Sequence, residues 1–87
     1  MSKLEEIREE FKKDRFATEV VGVVIDCAEP GKAVCSLTLK PHHMNANNVP
    51  MGGAIFTLAD FTCAVAANGY SEKMTVSQNA SVTFLAP

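Results

Sequence analysis

The chain has no C-x-x-C pair, no excess of basic residues, no apolar run long enough to span a bilayer, and no repeat or low-complexity segment. Each absence excludes something. Eight Lys and Arg stand against ten Asp and Glu, a net charge of −2. Such a balance gives no footing for nucleic acid or an anionic membrane surface. The cations gather mainly in the N-terminal segment, interleaved with glutamates, as on a solvated face. Cysteine is scarce and odd in number, with only Cys27, Cys35 and Cys63, each in an apolar setting. Three buried free thiols in a reducing compartment are expected. The first residues, Met-Ser-Lys-Leu-Glu-Glu, lack a secretory core. The longest apolar stretch, 54–67, is broken by Asp60 and is too short to cross a bilayer. A soluble, cytoplasmic protein is the expectation.

What the chain does have is apolar content. Hydrophobic residues make up 47% of its 87 positions, more than a thin one-domain core of this size can bury. Surface meant for another chain is therefore expected. Asp60 stands inside the most apolar stretch. A carboxylate there is costly unless paired, and buried carboxylates cluster at functional sites. Gly52 and Gly53 stand upstream, where a helix should begin, so that their N–H groups face whatever docks at its mouth. A carboxylate within the helix and open amides at its start suit acyl transfer.

The pattern along the chain predicts a helix, a hairpin, a second helix and a strand. Ser2 and Glu5 form a capping-box pair, and Leu4, Ile7 and Phe11 recur at helical spacing to about Asp14, with Glu9 and Lys13 one turn apart. The β-branched run from Glu19 to Cys27 predicts a strand. Glu29-Pro30-Gly31-Lys32 predicts a turn. From Ala33 to Lys40 the residues alternate, with Cys35, Leu37 and Leu39 on one face. Pro41 to Pro50 is a polar loop. A helix apolar nearly all round runs from about Gly52 to Ala67, stopped at Asn68-Gly69, and such a helix is expected to be buried. Met74 to Leu85 predicts a last strand. One small α+β domain, with an antiparallel sheet around a buried central helix, follows.

His43-Met44-Asn45, then Gly52-Gly53, then Leu58-Ala59-Asp60 resemble the hotdog-fold acyl-CoA thioesterases of the phenylacetate-pathway type. Val76-Ser77 and the run Val82-Thr83-Phe84-Leu85-Ala86-Pro87 resemble that family's next strand. The resemblance implies a hotdog-like fold and hydrolysis of acyl-CoA or acyl-carrier-protein thioesters. Coenzyme A would enter as part of the substrate, with no separate cofactor. It implies Asp60 as general base or nucleophile, and the Gly53 amide as the group polarising the thioester carbonyl. Asn45 would help place the carbonyl or the water, and Ser77 would orient the attacking water. It implies a homodimer or homotetramer with the site across an interface, Asp60 facing Gly53 and Asn45 of the other chain.

His43, Met51, Gly52 and Phe61 join these as candidate substrate-binding residues. Met51 stands where many relatives have histidine, and the family's later strands are absent, so the chain reads as the front part of a hotdog domain. Two blander readings stand beside these. Asn45, Asn47 and Asn48 are residue types common in turns and caps, and Phe56 and Phe61 suit either a core or an acyl tunnel. Metal binding by His42 and His43 is not expected, because adjacent residues on an extended loop point apart. A non-catalytic acyl-binding or assembly module, or an inactive fragment, is the alternative to an enzyme.

Overall fold

The first helix forms where its cap is. In a computed structural model that describes residues 2–70, 81 and 83, the Ser2 hydroxyl accepts from the Glu5 amide at 3.1 Å, and helix α1 runs over Lys3–Phe11. Its end unwinds through short-range bonds, Lys13 N–H to Glu10 O and Asp14 N–H to Phe11 O. At the end of α1 the surface ion pairs form at i,i+3, Lys12–Glu9 and Lys13–Glu10, rather than between Glu9 and Lys13. Being exposed, they add little.

The segment expected to start a strand at Glu19 does not. Phe16–Val21 winds as a π-helical turn. Asp14 caps it: its carboxylate accepts from the Ala17 amide, and its carbonyl accepts from the Thr18 amide and hydroxyl. Gly22 closes the turn at φ 89°, in the left-handed region where a side chain is penalised. Val20 and Val21 have β propensity, yet this local capping overrides it. The strand begins only afterwards.

Strand β1, Val24–Glu29, pairs antiparallel with β2, Lys32–Ser36. Pro30 and Gly31 make the two-residue turn, Gly31 at φ 73°, as the sequence indicates. The register slips between Ile25 and Cys27, because Asp26 is an extra residue opposite the Cys35–Val34 step. This β-bulge turns both Asp26 and Cys27 outward. Cys27 is therefore exposed, not buried as an uninterrupted alternation would place it. Arg8 of α1 reaches across to the same point and donates from Nε and Nη2 to the Ile25 carbonyl at 2.9 and 2.7 Å.

A 3₁₀ turn, Pro41–His43, leads into a closed loop and then helix α2, Gly52–Asn68. The helix is close to its predicted bounds. Its burial is not. Ala54, Phe61 and Val65 are buried, whereas Ile55, Ala59, Asp60 and Cys63 are exposed. The helix packs by one stripe on Ile7, Ala17, Val21, Val23 and Ile25. Phe61 meets Phe11 edge to face at 5.7 Å, a favoured aromatic geometry. The described residues thus form a small mixed α+β structure with a two-stranded antiparallel sheet. The expected strand from Met74 to Leu85 lies outside the described residues, save for Ser81 and Thr83. No helix among the described residues is long and apolar enough to cross a membrane.

The Arg8 fork is testable. Arg8→Ala leaves the Ile25 carbonyl without those donors and should cost about 1.5 kcal/mol, the lower end for a hydrogen bond from a charged group. Urea unfolding measures it, and an unchanged midpoint would show that the fork contributes nothing.

Candidate functional site

The start of α2 is built by backbone bonds made before it. The Met51 amide donates to the His43 carbonyl at 2.8 Å, which fixes the residue preceding Gly52. Met51 offers no side-chain cap. The Ala54 and Ile55 amides turn back to the Met51 carbonyl. Among the described residues, nothing accepts from the Gly52 or Gly53 amides. These are the open donors expected of a helix N-terminus. A β-carbon at Gly53 would meet only the Met51 side chain, at 3.9 Å, so a small side chain fits there.

An open groove of about 340 Å³ lies at this mouth. Phe16 and Val20 of the π-helical turn form one wall, and Met51, Gly53, Ala54 and Thr57 the other. His42 and His43 also line it. Phe16, Val20 and Met51 are each more than half exposed, an apolar rim around open amides. The Thr57 hydroxyl donates to the Gly53 carbonyl at 2.7 Å.

His43 is the buried polar residue of the described chain, at 5% exposure. The Lys40 amide donates to its Nδ1 at 2.9 Å. An amide can only donate, so the ring proton belongs on Nε2, which donates to the Val21 carbonyl at 2.6 Å. Both nitrogens and the carbonyl of His43 are thereby occupied by backbone from three segments. It lines the groove as a strut and has no free nitrogen to give a ligand.

Met51, Gly53 and His43 line the groove; Gly52 is not among its lining residues. Asn45 does not: its Oδ1 accepts from the Asn47 and Val49 amides at 2.9 and 3.3 Å, and its backbone pairs with Val49 and Asn48. The loop is closed on this side chain, with Asn48 at φ 58°. Phe61 is core, at 2% exposure. Ser77 lies outside the described residues.

Asp60 departs from expectation in burial. Phe61 and Val65 face the core, so the neighbouring Asp60 turns outward and is exposed. The expected cost of a buried charge therefore does not arise within this chain. Asp60 follows Gly53 by seven residues, close to two turns, on nearly the same stripe about 10 Å further along the axis. Cys63 is likewise exposed. Among the described residues, no three His, Cys, Asp or Glu side chains converge to hold a metal ion.

Sequence reasoning passed over His42, weighed only as a metal ligand beside His43. The signal was weak, since which of two adjacent histidines turns inward depends on the Pro41–His43 turn.

No family model matches the chain, and no solved structure matches it. A protein of Archaeoglobus fulgidus described as "Putative esterase" is 32% identical over 75 residues, which cover 86% of this chain and 47% of that protein. The chain spans about half the length of this relative.

The thiols should differ in reactivity. Burial pushes the Cys35 thiol above its ordinary value; a hydrogen bond with Thr62 opposes this, and Asp26 and Cys27 add to it. A raised value keeps Cys35 as the inert thiol to higher pH, since the thiolate is the nucleophile. It also makes the fold lose stability as pH climbs past the ordinary thiol range, where the unfolded chain gives up the proton first. Iodoacetamide at pH 8 should label exposed Cys27 and Cys63 before Cys35, read by peptide mass spectrometry. Cys35 labelling first would contradict this.

Proposed function

We propose that the chain belongs to a hotdog-type thioester hydrolase acting on acyl-CoA or acyl-carrier-protein substrates. The observation that carries the reading is the groove at the mouth of α2, where open amides meet an apolar rim. The amides suit a carbonyl oxygen that gains negative charge, and the rim suits a small acyl or aryl group. The likeness to a protein described as an esterase supports ester hydrolysis as the reaction class. The resemblance of Asn45, Gly52-Gly53 and Leu58-Ala59-Asp60 to the hotdog-fold thioesterases supports the thioester specialisation.

In this reading water attacks the thioester carbon, and the carbonyl oxygen becomes an oxyanion facing the Gly53 amide. Asp60, as general base, takes the proton from the water. The oxyanion collapses, the carbon–sulfur bond breaks, and the leaving thiol receives a proton as the free carboxylate forms. Asp60 as nucleophile is the variant of this route; an acyl-enzyme anhydride would then form and be cleaved by water. Asn45 would serve as a loop closure that places the groove wall, and Ser77 as the hydroxyl orienting water.

The separation of about 10 Å along the helix axis and the exposure of Asp60 favour a site shared between two copies. Asp60 of one chain would serve the Gly53 mouth of the other. We therefore propose a homodimer or homotetramer, with coenzyme A present only as part of the substrate. The same outward Asp60 and an Asn45 Oδ1 engaged by its own loop are also what a non-catalytic acyl-binding module would show. Turnover separates the two readings.

Two substitutions test the roles. Asp60→Asn should abolish hydrolysis of a short acyl-CoA by the assembled protein and leave its fold intact; equal turnover would remove Asp60 from the chemistry. Gly53→Pro removes one N–H in the first helical turn, where proline is tolerated. It should lower kcat about 10²- to 10³-fold. Gly53→Ala keeps the N–H, its β-carbon making only ordinary contact with Met51 at 3.9 Å, and should stay near the wild-type rate. If Pro and Ala behave alike, the amide plays no part.

A further inference from the structure

The groove's polar side chains can be accounted for one by one. Thr57 spends its hydroxyl proton on the Gly53 carbonyl. His43 has both ring nitrogens bonded to backbone. Met51 carries only a thioether, which has no proton to donate. The other walls are hydrocarbon or backbone. His42 remains. It is exposed, it lines the groove, and among the described residues its ring nitrogens meet no protein donor or acceptor.

His42 is also held in place. It is the middle residue of the Pro41–His43 turn. The turn is closed on both sides of it, by the His43 amide on the Lys40 carbonyl at 2.9 Å and the Met44 amide on the Pro41 carbonyl at 3.2 Å. Pro41 fixes the preceding φ. The His42 ring lies 4.1 Å, centroid to centroid, from that of His43, at 42°. The strut that ties Val21 to Lys40 is thus also the surface on which His42 rests. A ring so placed loses little freedom when a ligand arrives.

We infer that His42 is the side-chain hydrogen-bond donor of the groove, directed at a carbonyl oxygen of the bound thioester, and that His43 is its positioning residue. The inference rests on the thioester reading above and adds to the Gly53 amide a second donor for the same class of atom. It also divides the two adjacent histidines between support and contact with substrate.

The test is hydrolysis of butyryl-CoA by the full chain, with circular dichroism and thermal melting as controls of fold. His42 is exposed, so its variants should melt with the wild type. His42→Phe keeps a ring to lie on His43 but has no N–H, and should lose about tenfold in kcat/KM, as for one hydrogen bond. His42→Gln keeps an N–H and should recover most of that loss. In a folded His43→Gln protein, where the support is gone, adding His42→Phe should cost almost nothing further, and this coupling is a readout that a purely structural role would not move. Wild-type turnover that His42→Phe leaves unchanged would overturn the inference alone. So would a His42→Gln protein as impaired as His42→Phe, or full additivity with His43→Gln. Absence of turnover by the wild type would overturn the thioester reading, and this inference with it.

Discussion

The seating of Phe61 and Val65 governs the rest of the structure. These two side chains, one turn apart, fill the space between α1 and the hairpin, against Ile7, Ile25 and Phe11. They fix the rotation of α2 about its axis, and every other side chain on the helix follows from that rotation. Ala54 is drawn in at the mouth. Asp60, one position before Phe61, is carried outward, as are Ile55, Ala59 and Cys63. The helix that offers its amides to the groove is the same one that presents a carboxylate and an apolar face to the outside.

The backbone around this core is held by a few groups that each satisfy more than one segment. Arg8 serves the Ile25 carbonyl at the bulge. Asp14 caps the π-helical turn through its carboxylate and its carbonyl. His43 joins the end of that turn to the loop and, through its carbonyl, to the start of α2. Buried polar groups left unpaired are expensive, and among the described residues no buried side-chain nitrogen or oxygen lacks a partner. The groove takes its shape from this accounting, because its two walls come from segments that His43 binds together.

Much of the fold was legible because its signals are local. The Ser2 cap, the Pro30-Gly31 turn, the alternation through Cys35 and Leu37, and the Gly-Gly start of α2 all act within a few residues. The site was legible in part. Gly53, Met51 and His43 do line one groove. The burial of Asp60 was misjudged, because an apolar helix without a clear face gives no hint of which side meets the core. The strand expected from Glu19 failed for a different reason: Asp14 and Gly22 make a capped, left-handed-terminated turn whose local bonds outweigh the propensity of Val20 and Val21.

By itself the sequence determined helix α1 and its cap, the turn of the hairpin, and the start and stop of α2. These depend on capping, turn chemistry and spacing, which the chain carries in its own neighbourhood. Only the tertiary structure decided that His43 is a strut while His42 faces the groove, that Asn45 closes its own loop, that the bulge at Asp26 turns Cys27 out, and that Asp60 faces away from the core. Each of these depends on a partner distant in sequence or on the rotation of a whole helix: Val21 for His43, the opposing strand for Asp26, and the seat of Phe61 and Val65 for Asp60. A pattern read along the chain carries no information about which distant group will be there to meet it.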